Sequence, residues 1–220
     1  MIKIAITDDH TLFRKGLASI INGWKDVELY MEASSGPELL WKLSQSPVDI
    51  VLLDLQMPDM NGFETCKILK KRYPDLKILI LTFSINASEI LKAIRLGADG
   101  YFTKDSSPLE LLKAIKNIRK GGFHFEKSLS EIMEGIFLNK NGYPAIRLEI
   151  EISLRELEII KLYALEYKVR QIAEILNISP RTVETHKKNL MKKTGAKNFI
   201  GVILFAFENK FLKFQDLKIS

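Results

Sequence analysis

The sequence predicts an α/β domain followed by a smaller all-α domain, and three observations carry that reading. Short runs rich in Ile, Leu and Val alternate five times with segments of helical spacing in the first half, whereas from Ser153 onward the periodicity is helical throughout. The charge divides the same way: residues 1–150 hold 20 Lys and Arg against 19 Asp and Glu, and residues 151–220 hold 13 against 8.

The five strand signals are IKIAIT at 2–7, VELYMEA at 27–33, DIVLLD at 49–54, KILILT at 77–82 and DGYFT at 99–103. Helical spacing fills the intervals near 11–22, 37–45, 63–72, 87–96 and 107–120. Three of the strands are too continuously apolar for a half-exposed sheet, so the alternation predicts a parallel sheet covered on both faces. Composition agrees with a folded chain. Of 220 residues, 46% are hydrophobic and 27% charged, which excludes disorder and fibrous repeats. The single cysteine, Cys66, permits no internal disulfide, the start MIKIAITDDH turns acidic where a signal peptide would be apolar, and no run could span a bilayer. A cytoplasmic setting without membrane contact is the expectation.

Ligands of such sheets bind beyond the carboxyl ends of the strands. There the sequence places Asp8 and Asp9 after the first strand, Asp54 at the end of the third, Thr82 at the end of the fourth and Lys104 after the fifth. Each alone is an ordinary strand-ending or capping residue. Together, three carboxylates at close range repel unless a cation offsets them, and a hard oxygen cage suits Mg²⁺. With a lysine and a hydroxyl added, the set is suited to a phosphoryl group: Asp54 would attack phosphorus, and Lys104 and Thr82 would hold the charge that develops.

With those residues in view, residues 1–121 resemble the receiver domain of bacterial two-component response regulators, a flavodoxin-like (βα)5 fold. The matching residues are Asp8-Asp9, Asp54 with MPDMNG at 57–62, Thr82, and GADGYFTKD at 97–105. The resemblance implies that Asp54 is the phosphoacceptor and that Mg²⁺ is held by Asp9, Asp54 and the backbone carbonyl of Gln56, with Asp8 assisting. It also implies a two-state element: Thr82 turns toward the phosphoryl oxygens and Tyr101 moves inward. Read without the family, Tyr101 is a half-buried strand tyrosine. Two residues depart from the pattern. Phe83 is bulky where many receivers carry a small residue, which would narrow access to Asp54 and slow phosphotransfer or hydrolysis. Asp105 replaces a frequent proline, as in one branch of the family.

Residues 122–150 read as a linker, with a short helix at 128–138, turn residues at 139–144, and a strictly alternating stretch, IRLEIEI, at 146–152 that has the period of a strand. Four helices follow, at 154–165, 169–176, 180–194 and near 198–212. Only Asn177-Ile178-Ser179 separates the second and third. Ser179 suits an N-cap, Pro180 the first helical position, and Ile178 with Val183 the spacing of a hydrophobic staple. A helix, a tight turn and a second helix is the geometry that enters the DNA major groove. At about 100° per residue, Val183, Leu190 and Thr194 share one side of that second helix, while Arg181, Thr185, Lys188 and Lys192 share the opposite one.

The segment 150–215 also resembles the LuxR/NarL-type helix-turn-helix, most specifically in IAEILNISPRTVETH. That resemblance, which joins the chain to the NarL/FixJ response regulators, implies that Glu184, Thr185 and Lys188 approach base edges, and that Arg181, Thr182, His186 and Lys192 lie near phosphates. Departures at Glu166, Lys168 and Val169 fall where the family usually turns through Gly-x-Ser-Asn, and Thr194 and Phe199 replace a usual leucine and arginine. Part of the apolar last helix is expected to pack on the domain core, and the rest invites a twin subunit.

The resulting expectation is a DNA-binding transcription regulator, phosphorylated on Asp54 by a sensor histidine kinase, that acts as a homodimer on double-stranded DNA, with RNA polymerase among its candidate partners. One alternative is a phosphorylation-independent regulator that uses its first domain only to dimerise. Another is a phosphatase, which the chain is not expected to be, because Gln56 stands where Asp-x-Asp phosphatases keep their general acid.

Overall fold

The computed structural model describes residues 1–83, 87–125 and 150–217. The chain falls into two compact units, Met1–Glu126 and Lys127–Ser220.

In the first unit β1 (Ile2–Thr7), α1 (Thr11–Asn22), β2 (Val27–Ala33), α2 (Gly36–Gln45), β3 (Ile50–Asp54), α3 (Gly62–Arg72), β4 (Lys77–Thr82), α4 (Ala87–Leu96), β5 (Gly100–Thr103) and α5 (Pro108–Arg119) alternate as the residue pattern predicts. All pairings are parallel, and the sheet order β2-β1-β3-β4-β5-β6 reverses direction after β1. The edge strand β6 (His124–Phe125) is unanticipated. Two residues are too short to carry a period.

Burial explains the continuity of the central strands. Ile4, Ile6, Ile50, Leu52, Leu79, Leu81 and Phe102 face the inner sides of α1 and α5, in a core with Leu17, Ile21, Leu111 and Ile115. The alternate residues Ala5, Val51, Leu53, Ile78 and Ile80 are equally buried under the helices of the other face. Each fully buried Ile or Leu contributes about 2 kcal/mol. The helices start where polar caps permit: Ser35, Asn61 and Ser107 each accept a hydrogen bond from the third residue of the helix that follows.

At the amino ends of β4 and β5, Asp99 is buried. It accepts hydrogen bonds from Lys70 Nζ (2.8 Å), Lys77 Nζ (2.9 Å) and the Ile78 amide (3.0 Å), so its charge is fully partnered and ties α3 to the sheet. The partners are 21 to 29 residues away in sequence, which no local pattern announces.

The second unit contains α6 (Leu154–Ala164), α7 (Val169–Ile175), α8 (Pro180–Thr194), α9 (Phe199–Glu208) and a 3-10 turn at Phe214–Leu217. Ser153 and Glu156 form a capping box, Ser179 caps α8 by accepting from the Thr182 amide at 3.0 Å, and Asn198 caps α9. Helix α8 ends at Gly195, whose φ of 71° is left-handed. Helix α9 stops at Glu208, short of the expected 212, because Lys210 turns left-handed (φ 62°) and the amides of Phe211 and Leu212 fold back onto the Ala206 carbonyl. The turn that departs from Gly-x-Ser-Asn still forms, at a conformational cost: Glu166 adopts φ 63°, a conformation that suits glycine. The helix expected at 128–138 and residues 146–149 of the strand expected at 146–152 lie outside the described residues, and 150–152, which are described, are not in a strand.

Candidate functional site

Parallel register brings the site together. Thr7 pairs with Leu53 and Asp54 with Leu81, so the residues just beyond β1 and at the end of β3 meet, while the Lys104 amide donates to the Thr82 carbonyl at 2.7 Å, extending the β4–β5 ladder by one step. Asp8, Asp54 and Lys104 therefore converge at the carboxyl edge. Lys104 Nζ lies 2.7 Å from Asp8 Oδ2 and 3.0 Å from Asp54 Oδ2, and the lysine side chain is 0% exposed. The loop after β3 is held by Gly62, whose amide donates to the Leu55 carbonyl at 3.0 Å. A Cβ at Gly62 would collide with the carbonyl oxygen of Asp54, so the acceptor strand and α3 can approach this closely only through glycine.

Asp9 and His10 complete the cluster. His10 Nδ1 stands 3.0 Å from Asp9 Oδ1, and the His10 amide donates to Asp8 Oδ1 at 2.8 Å. One ligand atom from each of Asp8, Asp9, His10 and Asp54 lies within 4.8 Å of the others. His10 is an addition to the residues named from the sequence, where its position directly after Asp8-Asp9 is the available signal.

The electrostatics of the cluster are those of crowded carboxylates sharing one ammonium. Asp8 Oδ2, Asp9 Oδ1, Asp54 Oδ2 and Lys104 Nζ are buried atoms without a hydrogen bond of good geometry, although Lys104 is close enough to pair with two of them. One ammonium is shared between two carboxylates, with a third close by. Burial raises the Asp54 pKa above its ordinary 3.8; Lys104 and the Gln56 amide oppose the rise, and the neighbouring Asp8 adds to it. A cation with oxygen preference would satisfy the orphaned carboxylate oxygens, which fits Mg²⁺ better than a softer metal. Gln56 follows in the exposed loop after β3.

Thr82 and Tyr101 are both buried, at 2% exposure, and their side chains hydrogen-bond with each other. The Tyr101 hydroxyl also donates to Glu89 Oε2 at 3.2 Å, and burial together with the Glu89 charge pushes the phenol pKa up. Tyr101 is thus already inward, more buried than a half-exposed strand tyrosine. Its partner Glu89, on α4, is legible only from the tertiary structure.

In the second unit, Val183 and Leu190 of α8 are fully buried, while Arg181, Thr185, Lys188 and Lys192 are exposed and Thr182, Glu184 and His186 are half-buried. Lys193 is drawn away from this face by Glu156 at 2.8 Å, which pins α8 to α6. Lys187 lies over the Tyr163 ring at 5.2 Å. Asn189 is a further exposed polar residue on the helix. The tight turn before α8 places Asn177 at φ 52° and lets the Ile178 amide donate to the Ala173 carbonyl at 2.9 Å.

Comparison with known proteins covers both units. Residues 4–116 match the response regulator receiver domain, and residues 151–206 match the luxR family of bacterial regulatory proteins. The oxygen regulatory protein NreC of Staphylococcus carnosus is 33% identical over 217 residues, spanning 96% of this chain and 100% of that protein. NreC of Staphylococcus epidermidis is 32% identical over the same length, with the same coverage. Among solved structures, the RcsB response regulator of Salmonella typhimurium shares 27% identity at a TM-score of 0.58, covering 94% of this chain and 98% of its own. An RcsB–DNA complex shares 26% identity at 0.57, with the same coverage.

Proposed function

Because the chain belongs to the two-component response regulators that join a receiver domain to a LuxR-type DNA-binding domain, we propose that Asp54 accepts a phosphoryl group from a sensor histidine kinase and that this event governs assembly of a homodimer on double-stranded DNA. The observation that carries the reading is the buried Lys104 ammonium set 2.7 Å and 3.0 Å from Asp8 and Asp54. A lysine so placed holds the acceptor carboxylate in position and can turn the same ammonium to phosphoryl oxygens when they arrive.

In the transfer, a carboxylate oxygen of Asp54 attacks phosphorus as the bond to the donor nitrogen breaks, leaving an acyl phosphate on Asp54 and neutral imidazole on the kinase once a proton is supplied. Lys104 then exchanges its contact with Asp54 for one with the phosphoryl oxygens. Asp9, Asp54 and the Gln56 carbonyl would hold Mg²⁺, with Asp8 assisting; bound there, the ion neutralises charge on the transferring group. The Thr82 hydroxyl is the donor positioned to leave Tyr101 for the phosphoryl group, so the Thr82–Tyr101–Glu89 chain is the element through which the site addresses the α4–β5 face.

On α8, Glu184, Thr185 and Lys188 are assigned to base edges and Arg181, Thr182, His186 and Lys192 to phosphates. The buried Tyr101, whose hydroxyl donates to Glu89, favours one second reading: the switch face is held in one setting, and the first domain acts as a dimerisation module without phosphorylation.

DNA titrations with and without phosphoramidate and Mg²⁺ test both. The phosphorylation reading expects tighter binding after treatment, abolished by Asp54→Asn. Equal binding by untreated protein, treated protein and the Asn variant would establish the second reading instead.

A further inference from the structure

Phe83 follows β4 directly and keeps 53% of its surface in water. It meets His10 edge-on, with centroids 6.0 Å apart at 83°, and Phe13 at 6.2 Å and 64°. Edge-to-face contacts of this kind are favoured arrangements of aromatic rings. Phe13 is packed against the core shared by α1 and α5, so it is the fixed member. Phe83 and His10 stand on the solvent side.

What they cover is Lys104. Its Nζ lies 4.6 Å from the Phe83 centroid and 4.8 Å from that of Phe13, while it also meets the two carboxylates. Both rings are within reach of a cation–π contact. The ammonium is therefore in contact with two carboxylates and two ring faces, which accounts for a side chain that is 0% exposed at the rim of a sheet.

We propose that Phe83, leaning on Phe13 and His10, is an aromatic roof that positions Lys104 and limits how fast water and small phosphoryl donors reach Asp54. The proposal rests on the reading of Asp54 as phosphoacceptor. Hydrolysis needs a water oxygen to attack phosphorus; the phosphorus–oxygen bond to Asp54 breaks, the carboxylate leaves, and the two protons of the water depart on dihydrogen phosphate. A covered site withholds that water. A phosphohistidine presented on a protein surface can displace the half-exposed ring by drawing on contacts made elsewhere, which neither water nor a small donor can do. The roof thus prolongs the phosphorylated state and selects the protein donor.

The test uses the full chain as wild type, Phe83→Ala and Phe83→Tyr. Two quantities are read: the rate at which phosphate loaded from phosphoramidate is lost from Asp54, and acetylation of Lys104 by an amine-reactive reagent, located by mass spectrometry. The Ala variant is expected to lose phosphate and to load from phosphoramidate at least about threefold faster, the scale set by loss of one cation–π contact and of water exclusion. Its Lys104 becomes labelled, while the Tyr variant, which keeps the ring, matches wild type in both. An Ala variant with wild-type lifetime and protected Lys104 overturns the roof, as does a Tyr variant as leaky as Ala. If wild type takes no phosphate on Asp54, the functional reading fails, and the labelling of Lys104 still decides whether the roof exists.

Discussion

In the first domain Lys104, Asp8 and Asp54 are withdrawn from water, with the ammonium within 3.0 Å of both carboxylates, whereas Arg181, Lys188 and Lys192 on α8 stand in water above a face anchored by Val183 and Leu190. The same charged groups obey different physics in the two places. Buried charges have lost their hydration and interact at low effective dielectric, so removing one is felt by the others. Exposed charges act nearly independently and are screened by salt. The first arrangement suits a switch that responds to one added group; the second suits a surface whose contacts sum.

The contrast is tested most severely by Lys104→Ala. It leaves two buried carboxylates facing each other and should cost about 3 to 5 kcal/mol in urea unfolding, with part of the loss recovered on adding millimolar Mg²⁺. A loss below about 1 kcal/mol would mean that the pocket is wetter than its burial indicates.

On the exposed side, Lys188→Ala should weaken specific DNA binding by about 1 to 3 kcal/mol and relax preference at one base pair. Lys192→Ala should weaken all sequences alike and reduce the log–log salt slope by about 0.9. Fluorescence anisotropy across a salt series separates the two effects. Sequence-dependent loss from Lys192→Ala would reverse their assignments.

The pH dependence follows from Asp54. Burial raises its pKa above 3.8, so its protonated form favours the folded state; that contribution is complete below 3.8 and is lost as the pH rises through the higher folded value. Wild type should therefore lose stability over that rise relative to Asp54→Asn, which has no proton to release. Urea midpoints of the two proteins from acid to neutral pH should diverge in that direction.

The smallest effect is expected at the turn between α6 and α7. Glu166→Gly relieves the left-handed backbone at φ 63° and should add about 0.5 to 1 kcal/mol to thermal stability, without altering DNA affinity.

The two regions also differ in how far the sequence reveals them. Strand ends are readable within a residue, because β1, β3 and β4 are apolar runs closed by Thr7, Asp54 and Thr82. Parallel register then forces those ends together, so Asp8, Asp54 and Lys104 can be named as one group in advance. The outward face of α8 is readable from its period, since Val183 and Leu190 lie two turns apart. What the sequence conceals is long-range or short. Lys70 reaches Asp99 across 29 residues, Tyr101 reaches Glu89 from a strand to a helix, and β6 has only two residues. Phe83 is marked by its bulk, but its contact with His10 and Phe13 depends on packing between α1 and the end of β4, which periodicity does not encode.

The most direct measurement is intact-protein mass spectrometry after exposure to phosphoramidate and Mg²⁺, with a peptide map that places the added group. A single phosphoryl group is expected, carried by Asp54, absent from Asp54→Asn and absent when Mg²⁺ is chelated. Uptake that persists in the Asn variant, or none in wild type with metal present, would contradict the claim that this buried carboxylate cluster is a phosphoacceptor site.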